Sequence, residues 1–139
     1  MLFKRWLNEM IAPQWVLDEV VISVHRMLIA MHGGSQGIRD VGLLESALMR
    51  PRQLYYYEPQ STVFDLAAAY GFGLVKNHPF VDGNKRVALA IAAIFLEING
   101  FSLDAPDIEA VSVIEQLAAS HLSESDLAKW LGDLSKPIV

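Results

Sequence analysis

Nine consecutive residues, His78-Pro79-Phe80-Val81-Asp82-Gly83-Asn84-Lys85-Arg86, put a base, a carboxylate, a glycine, an amide and two cations into one short stretch. Periodicity predicts a helix beginning at Asn84, so Lys85 and Arg86 fall in its first turn. The positive end of the helix dipole disfavours cations there by some tenths to about 1 kcal/mol each. An anion reverses the sign. Phosphate is the natural one, because free backbone N–H groups, the dipole, a flexible Gly83 and both cations then act on the same ligand. Asp82 is uncomfortable beside phosphate unless it holds a divalent cation that also takes phosphate oxygens. His78 can accept a hydroxyl proton near neutral pH. The set suits phosphoryl or nucleotidyl transfer.

Taken singly, each residue has an ordinary reading: a histidine at a helix end, an Asp-Gly turn, an exposed Lys-Arg pair. Their conjunction is less ordinary. Other candidates are weaker. His25 and His32 are seven apart and can share a helix face, but no third ligand is near, which favours satisfied or exposed histidines over a metal site. His121 sits in an acidic polar turn and is given no role. Tyr55, Tyr56 and Tyr57, with Arg50 and Arg52, imitate a base-stacking platform, yet anchoring of a loop to the core is preferred.

The elements that must position the nine residues are helical almost throughout. Leu17, Val20, Val21, Val24 and Leu28 keep helical spacing behind Pro13, predicting a first helix near 13–31 that stops at Gly33-Gly34. Asp40 caps a short helix through Leu43, Leu44, Ala47 and Leu48, expected to end before Pro51. Arg52 to Gln60 reads as an ordered loop or short hairpin. Ser61 opens a helix that is apolar around most of its circumference, with Gly71 and Gly73 expected to allow close helix packing. Pro79 ends it at His78. The next helix runs from about Asn84 to Glu97, with Gly100 beyond its end, so these two small-residue helices should form an antiparallel hairpin. Phe101-Ser102-Leu103 is an extended link. Asp104-Ala105-Pro106 starts another helix, and Ser123 to Asp126 starts the last in capping-box fashion, with a stripe of Leu127, Trp130, Leu131 and Leu134.

At 139 residues and 53% apolar content the chain is expected to form a single domain, 1–139, to which residues 1–12 are expected to be peripheral. Its net charge of −5 argues against a general duplex-binding protein and makes nucleic acid a minor partner. The charge is uneven: residues 1–90 carry nine Lys/Arg and eight Asp/Glu, whereas residues 91–139 carry two and eight. The reactive cations thus lie outside the acidic tail. With no cysteine there can be no disulfide framework, thiolate metal site or thiol chemistry. No stretch approaches a membrane span of about 20 apolar residues, and a cytoplasmic location is expected.

HPFVDGNKR resembles the signature loop of the Fic/Doc family, and specifically of its death-on-curing branch. The likeness extends from about Gly33 to Trp130 through GIRDVGLLESALMRP, FDLAAAYGFGLVKN and the NGF after the second central helix. It implies an all-α, Fic-like helical bundle whose central hairpin carries the loop, with a small flap, placed within Gln36 to Gln60, that aligns a target segment. By position, the resemblance makes His78 the proton acceptor and Asp82 the metal-binding acid. Phe80 becomes the buried anchor, Gly83, Asn84 and the following amides the anion-binding turn, and Arg86 the phosphate-binding arginine, with Lys85 lying over that turn.

Departures from the AMP-transferring pattern bear on the reaction. Lys85 stands where those relatives have a second glycine, and Leu89 where they have a second arginine. Both point to the death-on-curing branch, whose members are toxins that pass the terminal phosphate of ATP, with Mg2+, to a threonine of elongation factor Tu. Gly83 stands where that branch's best-known member has alanine, so the match is to the wider group. AMP or other nucleotide transfer on the same fold, and a catalytically idle binding module, are the rival readings. Self-inhibited relatives carry a Ser/Thr-x-x-x-Glu-Gly/Asn helix. Ser120 to Ser125 comes nearest but is incomplete, which implies a separate antitoxin chain with a segment along or near the His78–Arg86 groove, covering the flap, blocking nucleotide entry, or both.

Overall fold

The computed structural model describes residues 2–3 and 12–138. Among these, six helices and one small sheet follow in the order α1 (Asp18–His32), α2 (Val41–Tyr57), α3 (Val63–Asn77), α4 (Asn84–Ile98), β1 (Phe101–Leu103), α5 (Asp107–Ala118), α6 (Glu124–Asp133) and β2 (Ser135–Pro137). The all-α expectation is met. Much of the stretch 1–12, expected to be peripheral, lies outside the described residues. No described helix is long and apolar enough to cross a membrane.

Helix α3 is the axis of the fold, because its sequence leaves almost no polar face. Leu66 to Gly71 and Gly73 to Val75 are all buried. The helix begins one residue later than Ser61 suggested: Thr62 accepts the Asp65 N–H, and Asp65 accepts the Thr62 N–H in return. Both internal glycines serve packing. A Cβ on Gly71 would lie 3.3 Å from Leu127 Cδ2 of α6 and 3.8 Å from the Ala88 carbonyl of α4. One on Gly73 would lie 3.2 Å from both Cα and carbonyl O of Ala47 in α2. Helix α4 forms the hairpin with α3 and buries Val87, Ala88, Ile91, Ala92, Phe95 and Leu96.

Helix α2 corrects two expectations. It does not end before Pro51 but runs through it to Tyr57, so Arg52 to Gln60 is mostly helix. Pro51 has no N–H to give the Ala47 carbonyl four residues back, which ordinarily kinks or breaks a helix. Here Pro51 is buried, and Gly73 of α3 packs directly on Ala47. Tertiary contact thus outweighs the local penalty. The tyrosines divide accordingly: Tyr55 packs edge-on against Trp15, 6.0 Å between rings, while Tyr56 and Tyr57 are exposed rather than core anchors. Arg50 pairs with Glu124 of α6 and lies over the Phe72 ring, and Arg52 lies over Trp15.

The first helix also starts later than Pro13 suggested. Residues 12–17 are non-helical because other partners take their backbone groups. Gln14 exchanges hydrogen bonds with the Asn99 side chain at 2.8 and 2.9 Å, and the Val16 N–H donates to the Tyr70 hydroxyl. Burial pushes the Tyr70 phenol above its ordinary pKa, with the Val16 hydrogen bond opposing in part. Phe101 to Leu103, expected as an extended link, is a strand paired antiparallel with Ser135 to Pro137. Ser123 caps α6 as expected, and Leu134 lies just past its end.

Candidate active site

Between α3 and α4 the chain has six residues in which to reverse direction, and proline makes the first step unusual. His78 takes the left-handed conformation, φ 50° and ψ 54°, at the end of α3. Phe80 then turns fully inward, 0% exposed, and fixes the middle of the loop in the core. The buried Asn84 side chain closes the turn by bonding both backbone groups of Phe80. Gly83 supplies a left-handed residue, φ 76°, immediately before α4, and no side chain caps that helix. First-turn N–H groups of α4 therefore have no side-chain cap, as an anion site requires.

These residues converge. A cavity of about 430 Å³ is lined by His78, Asp82, Gly83, Asn84, Lys85 and Arg86, with Val75, Glu115 and Ala118 completing its wall. His78, Asp82, Lys85 and Arg86 are all exposed to it. Lys85 Nζ is 2.9 Å from Glu115 Oε2, whereas Arg86 makes no ion pair among the described residues. The Asp82 carboxylate accepts the Gly83 N–H at 2.8 Å through one oxygen and the Ser35 N–H at 3.3 Å through the other. The Asn84 side chain is spent on Phe80, which leaves only its backbone N–H to offer a ligand.

No group of three or more His, Cys, Asp or Glu side chains able to hold a metal occurs among the described residues. A lone carboxylate does suit Mg2+, which keeps several waters and takes other oxygens from substrate phosphates. Asp82, exposed at the cavity with lone pairs left on both oxygens, fits that role.

Four neighbours of the loop are not assigned to it by the sequence alone. His25 of α1 is 3% exposed, stacks on Phe80 with ring centres 3.8 Å apart, and donates from Nε2 to the Asp82 carbonyl at 2.7 Å. It is a satisfied histidine, as weighed, while His32 is exposed. Arg39 donates to the His78 and Asn77 carbonyls at 2.7 and 2.9 Å. Gly34 lies so close to Asp82 that a Cβ there would sit 2.7 Å from Oδ2. Glu115 reaches the cavity from α5. A signal for His25 existed in its i, i+4 spacing with the apolar Val21 and Ile29, all three buried. Nothing local marked the others.

No hairpin flap forms within 36–60. Its first residues run extended alongside the loop instead: Ile38 bridges Phe80, Val81 N–H donates to Gly37 at 3.1 Å, and the Arg39 and Asp40 N–H groups donate to Pro79. Val41 to Tyr57 is α2, and 58–60 follow its end. Where a flap hairpin was expected, α2's packing on α3 leaves the chain helical.

Fold and site together define a mostly helical protein built round a loop that can receive an anion beside a base. More particularly, the chain belongs to the Fic/DOC family, whose profile matches residues 15–96. It is similar to the protein kinase doc of Escherichia phage P1, 32% identical over 117 residues that make up 84% of this chain and 91% of that one. It is also similar to the toxin Doc of Mycolicibacterium smegmatis, 46% identical over 74 residues, 52% of this chain and 57% of that protein.

Proposed function

We propose that this protein is a Doc-like toxin that transfers the terminal phosphate of ATP to a hydroxyl of a translation factor resembling elongation factor Tu, acting in the cytoplasm. One observation carries the reading: His78, Asp82 and the uncapped start of α4 with Arg86 open into the same cavity. The names of the two relatives, a protein kinase and a toxin, support it.

In this reading the α4 N–H groups and Arg86 hold the phosphates, and Lys85 adds charge over the same turn after exchanging Glu115 for the nucleotide. His78 takes the proton of the target hydroxyl. The freed oxygen forms a bond to the terminal phosphorus as the bond to the bridging oxygen breaks, and ADP leaves with that electron pair. Mg2+ bound by Asp82 would neutralise charge on the phosphates. General-base transfer contributes roughly 10²- to 10⁴-fold, and positioning the rest. With no complete inhibitory helix in the chain, restraint comes from a separate antitoxin over the His78–Arg86 groove. A segment that folds as a helix on binding suits such a groove.

The test is ATP labelled on its terminal or its alpha phosphate, incubated with bacterial lysate. Terminal label alone should appear on a protein, and His78→Ala should abolish both labelling and growth arrest while remaining folded. Transfer of alpha label would assign nucleotide transfer instead. A protein harmless alone at high expression would end the toxin and antitoxin assignments together.

A further inference from the structure

The loop's two chemical groups are held from outside the loop by two side chains that do not line the cavity. Helix α3 ends on carbonyls that need donors. A left-handed residue at a helix end is normally followed by an amide that closes back onto the last turn. Residue 79 is proline and has no N–H to give. Arg39 supplies what is missing: Nε donates to the His78 carbonyl at 2.7 Å and Nη2 to the Asn77 carbonyl at 2.9 Å. Its own N–H, with that of Asp40, takes the Pro79 carbonyl. One guanidinium thereby holds the backbone of His78 in a left-handed conformation that a side chain bearing Cβ rarely adopts.

The other end of the loop is held differently. His25 lies nearly parallel to the Phe80 ring, 9° between planes, and donates to the Asp82 carbonyl at 2.7 Å. That bond orients the peptide between Asp82 and Gly83, and so both the carboxylate and the residue that starts α4.

We propose that Arg39 and His25 are positioning residues with separate duties, Arg39 placing the imidazole of His78 and His25 placing the carboxylate of Asp82 and the phosphate turn. This rests on the transferase reading above. It makes different kinetic constants depend on the two residues. A misplaced base slows the chemical step and leaves nucleotide binding intact. A misplaced carboxylate weakens Mg-dependent nucleotide binding. Lysine cannot replace Arg39, since a single ammonium lacks the planar fork that meets two carbonyls at once.

The experiment uses the full chain and four variants: Arg39→Ala, Arg39→Lys, His25→Phe, which keeps a ring on Phe80 but no donor, and His25→Gln, which restores a donor. Both Arg39 variants should lose about 10- to 100-fold in transfer rate at saturating Mg-ATP while calorimetry shows nearly unchanged Mg-ATP affinity. His25→Phe should lose about tenfold in that affinity, and His25→Gln should recover part of it. The His78 Cε1–H resonance should move in Arg39→Ala and stay in place in His25→Phe. Parallel losses of rate and affinity in both residues, or full activity in Arg39→Lys, would overturn the proposal. The resonance and the affinity are read without any transfer. If the unmutated chain transfers nothing yet both measurements separate the variants, the reaction is wrong and the positioning stands.

Discussion

Asn84 and Phe80 hold each other through two hydrogen bonds. The Asn84 side-chain oxygen accepts the Phe80 N–H at 2.9 Å, and its Nδ2 donates to the Phe80 carbonyl at 3.0 Å. The asparagine is 4% exposed and the phenylalanine fully buried, so water cannot replace either bond. An amide side chain is the one type that offers donor and acceptor side by side in this way. Asn84 is thus the closure of the loop, and its place beside two cations misleads if read as ligand chemistry alone.

Asn84→Ala should therefore act on stability before it acts on binding. It strands a buried N–H and a buried carbonyl, each costing about 1–3 kcal/mol. Denaturant titration should show a lowered midpoint with an unchanged slope. Asn84→Asp supplies the acceptor but sets a buried carboxylate against the Phe80 carbonyl, and should be at least as destabilising near neutral pH.

Gly71→Ala and Gly73→Ala should differ in effect, the second being the less stable. Both gain roughly 1 kcal/mol of helix propensity. At Gly71 the new methyl meets the end of the Leu127 side chain, which can move, so the change should be neutral or mildly stabilising. At Gly73 it meets Ala47 backbone at 3.2 Å, which cannot, and overpacking of this kind costs about 1–3 kcal/mol. Thermal melts of the two variants decide the matter, and equal shifts would contradict the packing described.

Asp82→Asn should remove the Mg dependence of ATP affinity without unfolding the protein, since the carboxylate is exposed. The amide can still accept the Gly83 N–H. Calorimetry with and without Mg2+ checks this. Equal ATP affinity in the two conditions for the unmutated protein would withdraw the metal role.

Acid should weaken the last helix through Asp126. Hydrogen bonding to Ser123, from its backbone first and its side chain second, holds the Asp126 carboxyl below the usual carboxylate range. A group whose folded pKa is lowered stabilises the fold above its unfolded pKa and loses that contribution as pH falls through the folded value. Melting temperature should consequently drop below about pH 4. Asp126→Asn should be less stable near neutrality and show a smaller acid-side fall. An identical pH profile in the variant would place the acid sensitivity elsewhere.

Much of the central hairpin was legible because its punctuation is local. Pro79 ends α3, Gly83 starts α4, and Gly100 lies past its end. The misplaced elements share a cause in distant partners. Pro51 is tolerated within a helix because Gly73 packs against its missing bond, and residues 12–17 stay non-helical because Asn99 and Tyr70 receive them. Of the site, the six polar and glycine positions facing the cavity could be read from one window of sequence. The role of Arg39 could not, and the spacing of His25 with Val21 and Ile29 marked only its burial, since each is defined by a backbone carbonyl, 39 and 57 residues away respectively. Side-chain bonds to backbone leave no complementary residue type to notice.

Those same separations set an order of assembly. The α3–α4 hairpin closes across only the loop itself, while the fixtures from Arg39 and His25 close rings of 39 and 57 residues and bear the larger entropy of closure. Local contacts form sooner than distant ones. A chain with its hairpin collapsed should accordingly be helical at its centre while its loop is still unbraced, and circular dichroism should register helix before the site exists. On that expectation the site is braced late in folding, when the first third of the chain comes to rest against a hairpin that needs no part of it to close.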